Sequence, residues 1–436
     1  MLFLSDRLAR ALPFFYGYVM LPVAMMMQIA TSPGQTFAVS PFMPALRESL
    51  QLSESRLGLA YMLGTMLAAV PLSLIGPIAD RFGMRSITVG VVTALAGACW
   101  FASQVSNFVT LLIAFFLLRF LGQGSLSLLS SNTTSMWFRS RIGRVSAAIS
   151  VGTAAAFAFV PGWLSGAIQD HGWRNTYQGL AVILVAGLIP MLLLLYRNRP
   201  EDLGQTVDGT AIDSAVQEVE TSRADLDHLP TETVSLTLLQ SLGTRAYYIL
   251  GLTNILWALI GTGVLFYVYT LCDDRGFHQG AASQMFQVFG LSMLVAQFMG
   301  GVLADFLPLN RLFGIGTALI VLSLVCLAWA QQVALLHAFA VCFAVGQGLL
   351  ISVGSVVWVR YYGRDHLGTI RGSIWCLTVA GSGCGPLIMG YFKDTTQSYD
   401  AAIWLFIGLM IPLAIAAWFV RPPKLLTHRK PSPATA

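Results

Sequence analysis

Arg119 stands in the middle of an apolar run near residues 108 to 135. An unpaired cation at the centre of such a run costs roughly 3 kcal/mol on insertion scales, so something must compensate it. Its planar fork of donors suits a carboxylate, yet all twenty acidic residues read as loop or span-end groups. Two readings stand: Arg119 faces a cavity and meets an anionic substrate, or it bonds backbone carbonyls, Gln and Ser groups and stabilises its neighbours. Weaker polar signals accompany it. Gln28, Ser32 and Gln35 recur at i, i+4 and i+7 and share one helical face, which Pro33 and Gly34 could loosen. Tyr61 and Thr65, Gln123, Asn254 and Trp257, Gln347, and Trp375, Thr378 and Ser382 interrupt other apolar runs. For any single one of these, interhelical hydrogen bonding is the commoner role.

The elements that hold these residues are read from hydropathy. A helix needs roughly 20 apolar residues to cross about 30 Å of hydrocarbon, because its backbone must satisfy its own hydrogen bonds there. Twelve stretches qualify, near 15–39, 56–78, 86–105, 108–135, 145–168, 175–196, 246–271, 281–304, 311–330, 334–359, 371–392 and 401–420. With 56% hydrophobic and 10% charged residues, a soluble domain of this size lacks the interior to bury them. The expected fold class is an all-α membrane protein of twelve transmembrane helices.

Basic residues set orientation, since they resist translocation. With a cytoplasmic N-terminus, only Arg47, Arg56, Arg174, Arg275 and Lys393 fall outside, Arg119 is intramembrane, and the other nineteen of 25 stay inside. Both termini are therefore expected in the cytoplasm, with the lipid bilayer as the protein's surroundings. The net charge of +5 is a topology signal and gives no reason to infer nucleic-acid binding. The first stretch follows Arg7 and Arg10 and shows no clear small-residue cleavage site, so it reads as a retained helix. The six cysteines lie in or beside spans without metal-ligand spacing and read as packing residues. No nucleophile, base or metal constellation sits at workable depth, so neither an enzyme nor a cofactor is expected.

Residues 197–245 form the one long hydrophilic segment, with nine of the twenty acidic residues. It reads as a cytoplasmic linker, with a short helix near 213–226, between an N-terminal bundle (1–196) and a C-terminal bundle (246–420), followed by a tail (421–436). The halves repeat at an offset near 225: Asp80 falls opposite Asp305, Gly122-Gln123-Gly124 opposite Gly346-Gln347-Gly348, Pro161 opposite Pro386, and Asp170 opposite Asp394. Several matches in order argue for duplication, and parallel six-helix repeats are a known architecture of transporters that rock around a central site. The paired glycines more readily permit close helix approach than phosphate binding, which needs a strand-turn-helix context.

The loop after the second span reads Gly76-Pro77-Ile78-Ala79-Asp80-Arg81-Phe82-Gly83-Met84-Arg85. Gly83 permits a tight reversal, Asp80 ends a helix where it can meet a base or a facing helix N-terminus, and Arg81 and Arg85 hold the loop inside. Here the chain resembles the major facilitator superfamily, whose signature loop is G-x-x-x-D-R-x-G-x-R/K, over its whole length. The resemblance implies two pseudo-symmetric six-helix bundles, a cytoplasmic gate at Asp80, Arg81, Gly83 and Arg85, and a weakened second copy at Asp305, where Phe306-Leu307-Pro308 replaces the Arg and Gly.

Within the superfamily, Tyr16-Gly17-Tyr18, Arg119-x-x-Gly122-x-Gly124, Gly172-Trp173-Arg174 and Arg199-Pro200-Glu201-Asp202-Leu203-Gly204 resemble the monocarboxylate and oxalate:formate exchanger branch. Helix eight lacks the Lys or Arg expected of an oxalate exchanger, and Lys393 lies near the outer end of helix eleven. Helices one, four, seven and ten line the cavity in this family, which nominates Gln28, Gln35, Arg119, Gln123, Asn254 and Gln347 for substrate binding. The expectation is an alternating-access carrier of a small, monocarboxylate-like organic anion in a cytoplasmic or inner membrane. No intramembrane Asp, Glu or His is evident, which favours exchange with a counter-substrate, facilitated diffusion, or symport of a proton carried on the substrate carboxylate. A carrier or exporter of a neutral or amphipathic solute is the alternative, suggested by Met25 to Met27, Trp257, Tyr267 and Trp375. Further off stands a non-transporting membrane sensor acting through 197–245.

Overall fold

The structure, a computed structural model, describes residues 14–139, 142–209, 236–278, 280–363 and 366–423, and only the backbone of 142, 143, 301, 304, 305 and 355. The predicted helix near 213–226 and the tail beyond 423 lie outside the described residues. Twelve helical units follow the hydropathy pattern. The first, α1, spans 17–50 in pieces: Gly17–Ala30, a 3₁₀ turn Ser32–Gly34, Thr36–Val39, a second turn Ser40–Phe42, and Met43–Leu50. Then come α2 (Glu54–Phe82), α3 (Met84–Ala102), α4 (Phe108–Trp137), α5 (142–171) and α6 (173–195). Gly172, at φ 79°, separates α5 from α6. The second half holds α7 (Arg245–Asp274), α8 (Ala281–Phe306), α9 (Leu309–Ala328), α10 (Val333–Tyr362), α11 (Leu367–Thr396) and α12 (Asp400–Trp418).

Among the described residues, nine segments are long and apolar enough to cross a membrane, α5 and α6 counting as one. The fragmented α1 and α8 complete the twelve. Large apolar side chains stay exposed along these helices, Val70 at 73% and Phe159 and Val109 at 62%. A soluble fold would bury them; hydrocarbon accepts them.

The helices form two six-helix bundles, α1–α6 and α7–α12, which meet along α2 with α11 and along α5 with α8, while α7 leans on the end of α1. We term the end that carries Phe14 and Arg421 the terminal face and the opposite end the distal face. The contacts between bundles crowd toward the distal face. Gly390 of α11 lies on the first turn of α2, where a Cβ would come within 2.5 Å of the Glu54 carbonyl oxygen. Gly290 of α8 meets Ala154 and Ala158 of α5 in the same way. Without a hydrophobic drive between helices in lipid, such small residues let backbones approach and gain dispersion contact.

Aromatic rings seal what the glycines do not. Phe37 of α1 meets Phe157 of α5 with centroids 4.1 Å apart, and Phe157 meets Phe289 of α8 at 5.4 Å. Tyr61 of α2 lies 4.6 Å from Phe266 of α7. Both chains of rings cross from one bundle to the other, so the interface is closed on the distal side of the molecule's middle.

Gly390→Val is expected to clash with a rigid backbone and cost about 1–3 kcal/mol in this closed arrangement. It should lower the melting temperature clearly, whereas Gly408→Ala, whose Cβ meets nothing within 4 Å, should leave it within a degree or two.

Candidate functional site

The local structure around Arg119 follows from two breaks in regular helix. In α1, Pro33 offers no N–H to Ile29; the Ser32 hydroxyl donates to that carbonyl instead, at 2.5 Å. Gln35 is extended (φ −90°, ψ 145°). Gln28, Ser32 and Gln35 therefore do not share a continuous helical face, contrary to the i, i+4, i+7 reading, because the helix stops at Thr31 and restarts at Thr36. In α4, residues Arg119–Leu126 are π-helical, a widening often found at functional positions. The backbones of the two breaks touch: a Cβ on Gly34 would collide with the carbonyl oxygen of Leu118 and fall 2.7 Å from the Gln123 nitrogen.

Arg119 follows eleven residues of α4, about 16 Å from that helix's distal start at 1.5 Å per residue, roughly mid-membrane. It is 5% exposed. Its Nε donates to Thr65 Oγ1 at 3.1 Å, its Nη1 donates to the Gly34 carbonyl at 3.3 Å, and the guanidinium lies 5.0 Å from the Tyr61 ring centroid. Tyr61 is itself pinned, its hydroxyl 2.7 Å from Thr36 Oγ1 and its ring against Phe115 and Phe266. Every one of these partners is uncharged. Nη2 has no acceptor among the described residues and is not among the sealed, unpartnered atoms. The site thus holds one full positive charge with a donor left over.

The other nominated residues divide. Gln123, on the π segment, has a buried Oε1 without a hydrogen-bond partner. Gln28 Oε1 accepts from the Ser127 hydroxyl at 3.4 Å, which ties α1 to α4, and Gln35 Nε2 donates to Thr31 Oγ1 at 3.2 Å. Asn254 Nδ2 donates to the carbonyl of Leu250 in its own helix at 2.9 Å. Gln347 Nε2 points to Met293 Sδ of α8 at 3.4 Å. The structure gathers Gln35, Gln123 and Arg119 around the α1 and α4 breaks and does not bring Asn254 or Gln347 into bonding contact with them. Tyr61 and Thr65, polar positions of α2, supply Arg119's contacts instead. In α7, Trp257 adds a buried Nε1–H with no partner.

At the terminal face, Gly83 turns α2 into α3 with φ 87° and ψ 138°, a conformation that favours glycine. Arg85 is held by its backbone N–H, which donates to Asn198 Oδ1 at 2.8 Å, and by its guanidinium on the Leu193 carbonyl. Arg81 lies over Phe82 at 5.4 Å. Asp80 is exposed and forms no hydrogen bond or ion pair among the described residues. A cavity of about 690 Å³ adjoins it, lined in part by Arg81, Asn132, Asn198, Arg199 and Asp202. The Asp305 side chain lies outside the described residues.

The remaining motifs brace the N-terminal half. Tyr16 N–H donates to Gln205 Oε1 at 2.8 Å and Tyr16 Oη to the Leu195 carbonyl at 2.8 Å, so the segment after α6 caps the entry to α1. Arg174 stacks 4.2 Å from the Trp173 centroid and donates to the carbonyls of Ser103 and Val105 at 2.8 and 3.1 Å. That places a cation at the C-terminal, partially negative end of α3.

What the sequence reading missed sits at the distal face. Glu54, only 3% exposed, pairs with Arg47 at 2.8 Å, and Lys393 pairs with Asp274 at 2.6 Å. The Asp394 carboxylate accepts from the first N–H groups of α2. Burial beside the Glu54 charge raises the Tyr399 phenol above its ordinary value. The one available signal was the pairing of Asp394 with Asp170 in the repeat.

Comparison with known proteins agrees with this fold. The Major Facilitator Superfamily model matches residues 25–295 and 250–435. The chain is 22% identical over 357 residues to the uncharacterized MFS-type transporter YhjX of Escherichia coli (strain K12), covering 80% of this chain and 82% of that one. It is 22% identical over 281 residues to Monocarboxylate transporter 10 of Danio rerio, covering 62% of this chain and half of the relative. A bacterial homolog to the human lysosomal transporter Spinster, solved inward-facing and unoccupied, has the same fold, with a TM-score of 0.68 at 13% identity over 93% of this chain and 96% of that one. With matches to both halves and a transporter architecture throughout, the chain belongs to the major facilitator superfamily and resembles its monocarboxylate branch.

Proposed function

We propose that this transporter carries a small organic anion of the monocarboxylate class by alternating access, with Arg119 as the group that attracts and orients the carboxylate. The observation that carries the reading is the charge state of the site: a mid-membrane guanidinium whose protein contacts are all neutral and whose Nη2 is unused. A buried cation without a counter-ion is costly, and a substrate carboxylate supplies the missing charge in a geometry the guanidinium favours. Gln123 Oε1, one turn further along α4, is buried without a partner and adds a polar group on the same helix as Arg119. The distant relatives named as monocarboxylate transporters support the same substrate class.

In this reading the 1–196 and 246–420 bundles rock about the Arg119 level, and the structure represents the state open toward the terminal face. Gln28, Gln35, Asn254 and Gln347 line the path, and Asp80, Arg81, Gly83, Arg85 and Asp305 form the gate on that side. The basic residues crowded on the terminal face support a cytoplasmic position for it, with the protein in a cytoplasmic or inner membrane. The partner of transport is a counter-substrate or a proton carried on the substrate.

Reconstituted protein preloaded with unlabelled lactate should accumulate labelled lactate by counterflow. Arg119→Gln should reduce that flux at least tenfold, and Arg119→Lys, which keeps the charge but loses the fork, should retain an intermediate rate. Variants that melt normally but transport lactate and its amide alike would instead assign Arg119 to packing and point to a neutral or amphipathic substrate. Sidedness is checked separately in intact cells: a membrane-impermeant maleimide should label Thr396→Cys and spare Asp202→Cys, and the reverse pattern would invert the topology.

A further inference from the structure

The α2–α11 pair carries an acid at each of its ends, and only one is engaged. At the terminal face, Asp80 in the last turn of α2 has no partner among the described residues. At the distal face, Asp394 in the last turn of α11 reaches across the bundle interface. Its Oδ1 accepts from the Glu54 N–H at 3.1 Å, and its Oδ2 accepts from the Ser55 N–H at 2.9 Å and from the Ser55 hydroxyl. These N–H groups belong to the first turn of α2, which has no acceptors of its own for them and carries the positive end of the helix dipole. The residue before the helix, Ser53, accepts from the Arg56 N–H at 3.4 Å and lies 3.1 Å from the Ser55 hydroxyl, leaving the Glu54 and Ser55 N–H groups to Asp394.

A second ring of bonds fixes the same turn. The Tyr267 hydroxyl of α7 donates to the Glu54 carbonyl at 2.6 Å, and Arg47 of α1 pairs with the Glu54 carboxylate. The companion interface is built differently. Asp170 holds the equivalent place at the end of α5 but is exposed and bonds nothing among the described residues. There the Tyr269 hydroxyl bridges the Pro161 carbonyl and Ser283 Oγ at 3.0 and 2.9 Å, without a charge. Among the described residues, the Asp394 cap is thus the one charged contact across the closed distal face, and it lies on one of the two helix pairs.

We infer that Asp394 is the distal latch of the transport cycle: its carboxylate caps α2 while the carrier is open to the terminal face, and the cap must break for the distal side to open. Asp394 is a positioning residue that touches no substrate. The inference rests on the alternating-access reading. Its physical content is that a partly buried carboxylate trades a helix N-terminus for water at each turnover, so the bond strength sets the population of the two states.

Spin labels report both faces at once, in a background with the six native cysteines replaced by alanine. One pair, Glu48→Cys with Thr396→Cys, spans the distal interface; the other, Phe82→Cys with Thr369→Cys, spans the terminal one. All four positions are exposed. Asp394→Ala is expected to raise the distal-open population about tenfold, equivalent to about 1.4 kcal/mol, with the distal pair lengthening as the terminal pair shortens. Asp394→Asn, which keeps one of the two acceptor oxygens, should shift it less, and Ser55→Ala least. A general loss of packing would broaden both distances together and would overturn the latch. So would an Asp394→Ala distribution identical to the parent's while the parent itself samples two states. A parent with one fixed distance at both faces, with or without lactate, would overturn the alternating-access reading and the latch with it.

Discussion

The structure is organised around a guanidinium held about halfway through a hydrocarbon-thick bundle with no carboxylate beside it. In that medium every polar group must find its partner within the protein, and the chain meets this demand by breaking helices where the charge sits. The Pro33-Gly34 interruption leaves the Gly34 carbonyl outside the helical ladder, and Arg119 takes it. Thr65 supplies the second acceptor and the Tyr61 face a third, diffuse one. A cation over a desolvated aromatic ring is worth about 2 kcal/mol or more, which offsets part of the cost of burial and leaves the charge itself unneutralised.

The same contacts connect Arg119 to the interface between the bundles. Tyr61 lies under the guanidinium on one side and against Phe266 of the opposite bundle on the other, and its helix begins at the turn that Asp394 caps. A change in how Arg119 is held therefore acts on a ring that belongs to the inter-bundle seal. In the proposed function, a carboxylate at Arg119 would compete with the Tyr61 ring for the cation and so act on the closed distal face. The terminal face, with Asp80 unengaged, carries no comparable charged bond across the bundles among the described residues.

Much of this was legible in the sequence because hydropathy, basic-residue placement and the Gly83 loop are local signals. The spans, the duplication and the unusual position of Arg119 follow from residue type and spacing alone. The partners of Arg119 were less accessible: Tyr61 and Thr65 read only as a polar stripe on the second span, and nothing local says which helix faces α4. The π-helical stretch at Arg119–Leu126 has the composition of an ordinary glycine-containing helix and shows no periodicity of its own. The Asp394 cap joins residues 339 and 340 apart in sequence, so neither helix records it alone. Gln347 and Asn254 are nominated by family position alone, and the sequence does not record that their amide nitrogens bond a sulfur of α8 and a carbonyl of the same helix.

The most direct measurement is the melting temperature of the purified carrier and of Arg119→Gln against a series of small carboxylates and their matched neutral amides. A ligand confined to the folded state stabilises it by RT ln(1 + [L]/Kd), about 2.7 kcal/mol at a hundredfold excess. At least one carboxylate should raise the melting temperature of the parent, its amide should not, and the shift should vanish in a folded Arg119→Gln. Equal stabilisation of parent and variant by the same carboxylate, or a response to amides alone, would contradict a carboxylate site at Arg119.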